Sequence, residues 1–358
     1  MSLNTPSQEC FFISLSKKSK PKKNKERCKM VINGKKSLLV MSILISFVLF
    51  FTFQISAQTE DKVFKVGISQ FVEHPALDSA RDGFIEGLNE AGFIEGKNLE
   101  ITLENAQADF ATTQSIAQKF KGQKLDLVLA IATPSAQSAA GVLTDTPLII
   151  TAVTDPVEAG LVSDLVDKEE NVTGTTDMNP VADQLSLIKQ FVPDVKTIGI
   201  LYNSGEVNSV VQVDIAKKAA AEMGLEIVEG TATNTSEVSL ATSSIVNKVD
   251  AIYLPTDNTI ASAVPSIIKI AVENNTPVFA AEKGQVENGS IATKGIDYFT
   301  LGKETGQIAA RVLNGERASD IPIIGSQNLQ LIVNKKAVEN FNLEIPESLI
   351  DKIDILIE

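Results

Sequence analysis

The sequence predicts an α/β fold of two doubly wound parallel-sheet lobes joined by a multi-strand hinge. Three observations carry that expectation. Short apolar runs alternate with helical stretches along residues 62–350, the order that gives parallel sheets covered on both faces. The succession then occurs a second time. After the second copy come single strand-like and helix-like segments that belong to neither, so the chain returns between lobes more than once.

In order along the chain, residues 63–69 form an apolar strand. Residues 78–91 (DSARDGFIEGLNEA) place Phe84, Ile85 and Leu88 on one side of a helix that Gly92 ends. Residues 99–103 and 111–120 are a second strand and helix. Residues 126–140 (DLVLAIATPSAQSAA) read as a buried strand that turns directly into a helix, with Thr133 as N-cap and Pro134 where a missing N–H loses no hydrogen bond. The free N–H groups of that helix point beyond the carboxyl end of the strand, a place that favours an anion. A fourth strand, residues 146–150, leads to the loop Thr154-Asp155-Pro156.

The second lobe repeats these features. Gly67 and Gly199 are 132 residues apart, as are Gly92 and Gly224, and Leu99-Glu100-Ile101 is echoed by Leu225-Glu226-Ile227. Residues 126–140 find a counterpart in residues 250–264 (DAIYLPTDNTIASAV) at an offset of 124, and Thr146-Pro147 recurs as Thr276-Pro277 at 130. Drifting offsets are what loop insertions and deletions produce between two copies of one topology. Beyond the repeats, residues 290–297 are strand-like, 301–313 helical, and 328–333 one more strand, with a helix after it. The expected division is residues 58–174 with 290–318 in lobe 1, and 175–289 with 319–358 in lobe 2.

Composition excludes several kinds of chemistry. The chain has no Trp, one His (His74) and two Cys, Cys10 and Cys28, both upstream of the folded region. A His/Cys metal site or a His-activated nucleophile is therefore not expected, nor is a disulfide in the folded part. No Walker A or G-x-G-x-x-G run is present to cradle a nucleotide, and no cofactor is expected. The first 57 residues hold ten Lys/Arg and two Glu, which leaves 22 bases against 43 acids, a net charge of about −21, on the remainder. A surface so acidic does not suit nucleic acid.

Residues 38–53 (LLVMSILISFVLFFTF) carry no charge, follow Lys35 and Lys36, and precede Ile55-Ser56-Ala57. Residues 1–57 thus read as a basic n-region with a secretory signal cleaved after Ala57, or with an uncleaved anchor; the apolar core is a little short of the about 20 residues of a membrane span. Either way the folded part lies beyond the cytoplasmic membrane, periplasmic or tethered to its outer face. The stretch KKSKPKKNKER makes a long n-region, and Met30 offers an alternative start. Cys28 lies before the apolar core, so no cysteine is placed for lipid modification.

In an open α/β sheet ligands bind beyond the carboxyl ends of the strands, and two facing lobes place both sets of ends along one cleft. The turns of the first lobe offer Gln70, Glu73 and His74, then Thr133, Pro134 and Ser135, then Thr154 and Asp155. Those of the second offer Asn203, Glu206, Asn208 and Ser209, then Thr256, Asp257 and Asn258, then Glu282 and Lys283. Catalytic pairs are scarce among them. Glu73 and His74 are adjacent on an extended segment and point opposite ways, and Asp155 with Asp257 lacks an aromatic sugar platform, so no catalytic residue and no enzyme is expected. The set suits a small zwitterion. Its carboxylate would meet the N–H groups and hydroxyls at Thr133, Ser135 and Ala136, and its ammonium Asp257 across the cleft, with Asp155 or Glu282 assisting. Closure of the lobes would bury both ends.

Several segments carry a resemblance. KVGISQFVEHPALDSARDGFIEGLNEAGF, ATPSAQ, TDPVEAGLV, TGTTDM, LYNSGEVNS and LPTDNTIASA, with the ending LEIPESLID, resemble the substrate-binding proteins of a group of bacterial ABC importers. That group has a type I periplasmic-binding fold, and members are associated with tryptophan or tyrosine uptake. The likeness covers residues 62–350. It implies an extracytoplasmic solute-binding monomer that captures an amino acid or similar zwitterion and presents it to a membrane permease. It further implies that TGTTDM belongs to the second lobe, and that ligand contacts fall at Gln70, Thr133, Ser135, Thr154, Asp155, Asn203, Asp257 and Asn258. For an aromatic ligand the stacking candidates near the turns are Phe71, Tyr202, Tyr253, Tyr298 and Phe299. The rival readings are a membrane-tethered small-molecule sensor without a transport role, the effector domain of a sugar-repressor-like regulator, and an enzyme on the same scaffold. The second requires a helix-turn-helix where the apolar run stands.

Overall fold

The alternation of apolar runs and helices resolves into two parallel sheets in a computed structural model that describes residues 62–326 and 328–358. The first lobe opens with β1 (Phe64–Gln70), α1 (Pro75–Glu90), β2 (Leu99–Asn105) and α2 (Phe110–Lys121). It continues through β3 (Leu127–Ile131), α3 (Thr133–Ala140), β4 (Leu148–Val153) and β5 (Val172–Thr176). The second lobe runs α4 (Val181–Phe191), β6 (Thr197–Tyr202), α5 (Val207–Glu222), β7 (Glu226–Thr231) and α6 (Val238–Ile245). Then come β8 (Ala251–Leu254), α7 (Asn258–Ala261), α8 (Val264–Glu273), β9 (Val278–Ala280) and α9 (Lys283–Glu287). The chain ends with β10 (Ala292–Ile296), α10 (Tyr298–Leu313), β11 (Ile324–Gly325), β12 (Leu329–Asn334), α11 (Lys335–Asn340), α12 (Glu347–Ile350) and β13 (Ile355–Ile357).

The first sheet has the order β11-β5-β4-β3-β1-β2 and the second β7-β6-β8-β9, with every pairing parallel. The order 2-1-3-4 thus recurs as 7-6-8-9, as the drifting offsets imply. One pair of residues shows how closely the copies correspond. Asp126, at the start of β3, accepts a hydrogen bond from Lys65 N at 2.8 Å; Asp250, at the start of β8, accepts from Lys196 N and Thr197 N at 2.8 Å each. Both carboxylates tie the entry of a central strand to its neighbour.

Each lobe has its own core. Phe84, Leu88, Phe120, Leu129 and Leu301 belong to the first, and Phe191, Ile200, Tyr253, Ile267 and Val333 to the second. The chain passes between them three times. One passage is residues 177–180, between β5 and α4. Another is β10, with Ala292 in the second core and Ile296 in the first. The last lies between β11, paired to β5, and β12, whose Leu331 and Val333 enter the second core. β10, β12 and β13 form a small sheet of their own.

Two expectations differ from this picture. TGTTDM is not a second-lobe segment: its residues 173–176 lie in β5, paired to β4 of the first sheet. The expected division at residue 174 falls inside β5, and Ile324–Gly325, grouped with residues 319–358, is a first-sheet strand. A Thr-rich strand buried throughout carries no local mark of the sheet it joins. The signal or anchor expected in residues 1–57 lies outside the described residues. No helix among the described residues is long and apolar enough to cross a membrane.

α1 and α10 lie against each other backbone to backbone. Gly83 and Gly87 of α1 face Gly302 and Gly306 of α10, each pair four residues apart and therefore on one helix face. A Cβ on Gly83 would stand 2.1 Å from Phe299 O, and one on Gly302 2.0 Å from Ala80 O. Only hydrogen fits at these points.

Candidate functional site: a polar cavity at the strand ends

The carboxyl ends of the strands of the two lobes meet at a small, narrow cavity that is partly open to solvent. From the first lobe it is lined by His74, Leu77, Ala152, Thr154, Asp177 and Tyr298. The second contributes Asn208, Thr256, Asp257, Asn258 and Ala261, with Glu282 and Gln285 beyond β9.

The backbone is strained beside it. Ala132, just after β3, has φ 77° and ψ 152°, a region that side chains other than glycine scarcely enter, and Ala152 in β4 has φ 54°. Each costs about 1–3 kcal/mol, and such strain gathers at ligand sites. Ala132 leads into α3 with no side-chain cap, and the hydroxyls of Thr133 and Ser135 are buried without a hydrogen-bond partner. The equivalent turn of the second lobe is closed: Asp257 accepts from Ile260 N at 2.8 Å and caps α7. One helix start is self-satisfied; the other has acceptor-seeking groups to spare.

Three buried carboxylates line the cavity and a fourth, Glu206, is bonded to Asn258 of its wall; no Lys or Arg lines it among the described residues. They are not equally free. Glu206 accepts from Asn258 N and Nδ2, Thr259 N and Oγ1, and Asn208 Nδ2, which exhausts the about four acceptor positions of a carboxylate. Asp257 accepts from Asn203 N, Ser209 Oγ and Ile260 N. Burial, with Glu206 beside it, pushes its carboxyl well above the usual carboxylate range. Asp177 has only Thr154 Oγ1, at 3.2 Å, and the Tyr298 hydroxyl as donors, and burial raises it too. Glu282 has only the N–H groups of Gly284 and Gln285 at the start of α9. Burial pushes it up to about 7 against those two N–H groups, with Glu287 and Asp177 adding to the rise. Spare acceptor capacity therefore concentrates at Asp177 and Glu282.

His74 is buried with neither ring nitrogen at hydrogen-bond geometry to any group. Burial drives the imidazole down to about 4, against the opposing influence of Asn258 and Asp78 nearby, so the ring is neutral near pH 7.

Glu282 gives a pH prediction. Its carboxyl rises from an ordinary 4.5 to about 7 on folding, so the folded state binds the proton more tightly. The stability tied to it is complete below pH 4.5 and lost as pH rises through 7. Glu282→Gln removes that loss. Its thermal midpoint relative to wild type is expected to climb between pH 5 and 8, by an amount equivalent to about 3 kcal/mol at most. A difference that stays flat across this range would show that Glu282 ionises at no cost.

Residues 65–354 match the family of ABC transporter substrate binding proteins. The chain belongs to that family. A tyrosine-binding protein of Clostridioides difficile is 46% identical over 279 residues, 78% of this chain and 81% of that protein. Among solved structures, an ABC domain in complex with L-Trp from Streptococcus pneumonia is 36% identical, with a TM-score of 0.80 over 83% of this chain and 100% of the other. The ligand-free, open structure of a substrate binding protein with adhesive properties from Clostridium difficile is 48% identical, with a TM-score of 0.64 over 82% and 99% of the two chains.

The expected site residues take different places in this substrate-binding protein. Thr154, Asp257, Asn258 and Glu282 line the cavity. Thr133, Ser135 and Ala136 are buried at the start of α3, outside the lining, with the two hydroxyls unpartnered. Gln70 is engaged locally, donating to Val72 O at 2.9 Å and Asp78 Oδ1 at 2.8 Å. Asn203 holds its own turn, accepting from Gly205 N and donating to Thr259 Oγ1, both at 2.9 Å. Asp155 is a partly exposed turn residue whose carboxylate accepts from Val157 N and Glu158 N at 3.0 Å. Glu73 is exposed where His74 is buried, so the two point apart as expected. Of the aromatic candidates only Tyr298 lines the cavity; Phe71 packs on Phe110, Tyr202 bonds Glu229, Tyr253 bonds Gln184, and Phe299 is partly exposed. Asp177, within TGTTDM, is a cavity residue that the sequence does not point to, because nothing local places that segment at the end of a first-sheet strand.

Proposed function

We propose that this chain is the solute-capturing component of an ABC importer, that its ligand is an aromatic L-amino acid, and that it performs no catalysis. The observation that carries the reading is the opposite polarity of the strand ends that converge near the cavity. Unpartnered hydroxyls and an uncapped helix start stand after β3, and carboxylates with free acceptor positions stand at Asp177, after β5, and at Glu282. β4 lies between β3 and β5, so those strand ends are about 10 Å apart at the ordinary strand spacing. Two hydrogen bonds of about 2.8 Å and an α-amino-acid headgroup fill that span. The carboxylate faces Thr133 and Ser135; the ammonium faces Asp177 and Glu282. Leu77, Ala261 and Tyr298 supply apolar wall for the side chain.

The tyrosine-binding and L-Trp-bound relatives support an aromatic ligand. Closure about the three passages is supported by overlap: it is better with the L-Trp complex, at 0.80, than with the open ligand-free relative, at 0.64, although the latter is nearer in sequence. In this reading the protein is a monomer outside the cytoplasmic membrane, and its closed form is what a permease recognises.

A thermal-shift screen of the twenty L-amino acids tests it. An aromatic amino acid at about 1,000 times its Kd is expected to stabilise the protein by about 4 kcal/mol. Titration calorimetry near pH 6.5 in buffers of different ionisation heat should further report proton release, because an arriving ammonium lowers Asp177 and Glu282. No stabilisation by any of the twenty would overturn the reading.

A further inference from the structure

Strand β4 breaks step with β5 just before it reaches the cavity. Leu148, Ile149 and Ile150 pair in turn with Val172, Thr173 and Gly174, but the next pair is Val153 with Thr176. Thr151 and Ala152 therefore stand opposite the single residue Thr175, a β-bulge of the kind that re-aims side chains beside a site. Ala152, with φ 54°, lines the cavity, and so does Thr154 two residues on. On the facing strand Gly174 takes φ 137°, and a Cβ there would stand 2.0 Å from Ile150 O.

Hydroxyls bridge the gap that the bulge leaves in the ladder. Thr151 Oγ1 lies 3.0 Å from Thr175 Oγ1, which lies 2.7 Å from Thr305 Oγ1 of α10. Thr305 Oγ1 is in turn 3.2 Å from Thr151 Oγ1 and 2.8 Å from the Leu301 carbonyl. All three residues are 0% exposed. Each hydroxyl proton has an acceptor within this cluster, so none is left over for a ligand. Valine has nearly the same shape and would fill the space without taking an O–H out of water. What the three hydroxyls add is the bonds themselves, which join β4, β5 and α10 at one point.

That point lies between the two seats of an amino-acid headgroup. The Thr151 carbonyl accepts from Ala132 N at 3.1 Å, which fixes the turn leading to Thr133 and Ser135. On the other side Thr176 Oγ1 donates to Thr154 O at 2.7 Å and Asp177 N to Val153 O at 3.3 Å, so the end of β5 is held to β4 beyond the bulge. α10 also bears Tyr298, whose hydroxyl donates to Asp177. We propose that Thr151, Thr175 and Thr305 are positioning residues whose hydroxyl cluster holds the β4 bulge and so sets the distance between the carboxylate seat at Thr133 and Ser135 and the ammonium seat at Asp177. This rests on the amino-acid reading given above. Without the bridge, a one-residue slip of β4 against β5 turns Thr154 to the opposite face of the sheet. A ligand then keeps one seat and loses the other.

The test is calorimetric titration of the purified protein with L-tyrosine and L-tryptophan and with tyramine and tryptamine, the same molecules without the carboxylate. Wild type is expected to bind the preferred amino acid at least ~100-fold tighter than its amine. In Thr175→Val that ratio should fall to within about tenfold, because the two seats no longer serve one headgroup. Thr175→Ser keeps the hydroxyl and should hold the ratio within about threefold of wild type. A merely structural weakening would lower the melting temperature and scale amino acid and amine together, leaving the ratio where it was. Thr305→Val leaves the bond across the bulge in place, should lower the ratio less, and reports on the cluster if Thr175→Val does not fold. An unchanged ratio in the Val variant that folds would overturn the proposal, as would a Thr175→Ser protein that discriminates no better than Thr175→Val. Binding of neither amino acid by wild type, or equal binding of amino acid and amine, would overturn the headgroup reading on which the cluster's role rests, an outcome distinct from a preference that the variants leave intact.

Discussion

Gly302→Val is expected to prevent the first lobe from assembling. The Cβ it introduces would stand 2.0 Å from the Ala80 carbonyl oxygen, 2.7 Å from its carbon and 2.8 Å from its Cα. All three are backbone atoms, so no rotamer change relieves the contact and α1 or α10 must move as a body. Both helices carry first-core residues, Phe84 and Leu88 on one and Leu301 and Ile308 on the other, and moving either opens a cavity under the sheet. The loss should exceed about 4 kcal/mol, the range reserved for disruption of a core or backbone contact. In a chain of this size that is a fall of about 10 °C or more in Tm, or no soluble protein. Binding should fail with it, since His74 and Tyr298, at the starts of α1 and α10, both line the cavity. Gly122→Ala is the control, because a Cβ there lies 3.4 Å from its nearest neighbour at an ordinary φ. It should change stability by less than about 1 kcal/mol. A Gly302→Val protein melting within a few degrees of wild type would mean that α1 and α10 do not approach as described.

The parts of this architecture that repeat are the parts the sequence discloses. DLVLAIATPSAQSAA and DAIYLPTDNTIASAV betray two copies of one strand-turn-helix, and with the paired glycines they are enough to predict two lobes of like topology; the strand orders, 2-1-3-4 and 7-6-8-9, come from the structure. What they cannot disclose is which long-range partner a segment takes. β5 is buried throughout and reads the same in either sheet, so Asp177 at its end was invisible as a site residue until the pairing with β4 fixed its position. Tyr298 meets Asp177 across 121 residues, and Gly83 meets α10 across more than 200. The reading of Asp257 shows a different limit. A carboxylate at the right turn looks like an ammonium seat, but three donors from three separate segments, Asn203, Ser209 and Ile260, take up most of its capacity. Lone pairs can be counted only when the fold has brought the donors in.

Asp177→Asn is expected to abolish high-affinity binding while leaving the fold intact. Asp177 is 3% exposed, stands on the first passage between the lobes, and has two donors, Thr154 and Tyr298, for about four acceptor positions. An ammonium completes that set. Asparagine keeps the size and can still accept from Tyr298, but it leaves the buried ammonium without its nearest charge, a loss of about 3–5 kcal/mol. Affinity should fall by about 10²–10³-fold at each 1.4 kcal/mol per decade. Because burial raises Asp177 in the free protein, its ionised form is a strain on the fold, and the ligand-free variant should melt no lower than wild type at pH 8. Asp257→Asn should show the converse. It weakens the cap of α7 and two further hydrogen bonds, so stability should drop by about 1–3 kcal/mol while affinity falls less than in Asp177→Asn. Calorimetry and melting curves on the two variants separate these roles. If Asp257→Asn loses the ligand and Asp177→Asn keeps it, the ammonium sits on the second lobe and the polarity assigned to the strand ends is wrong.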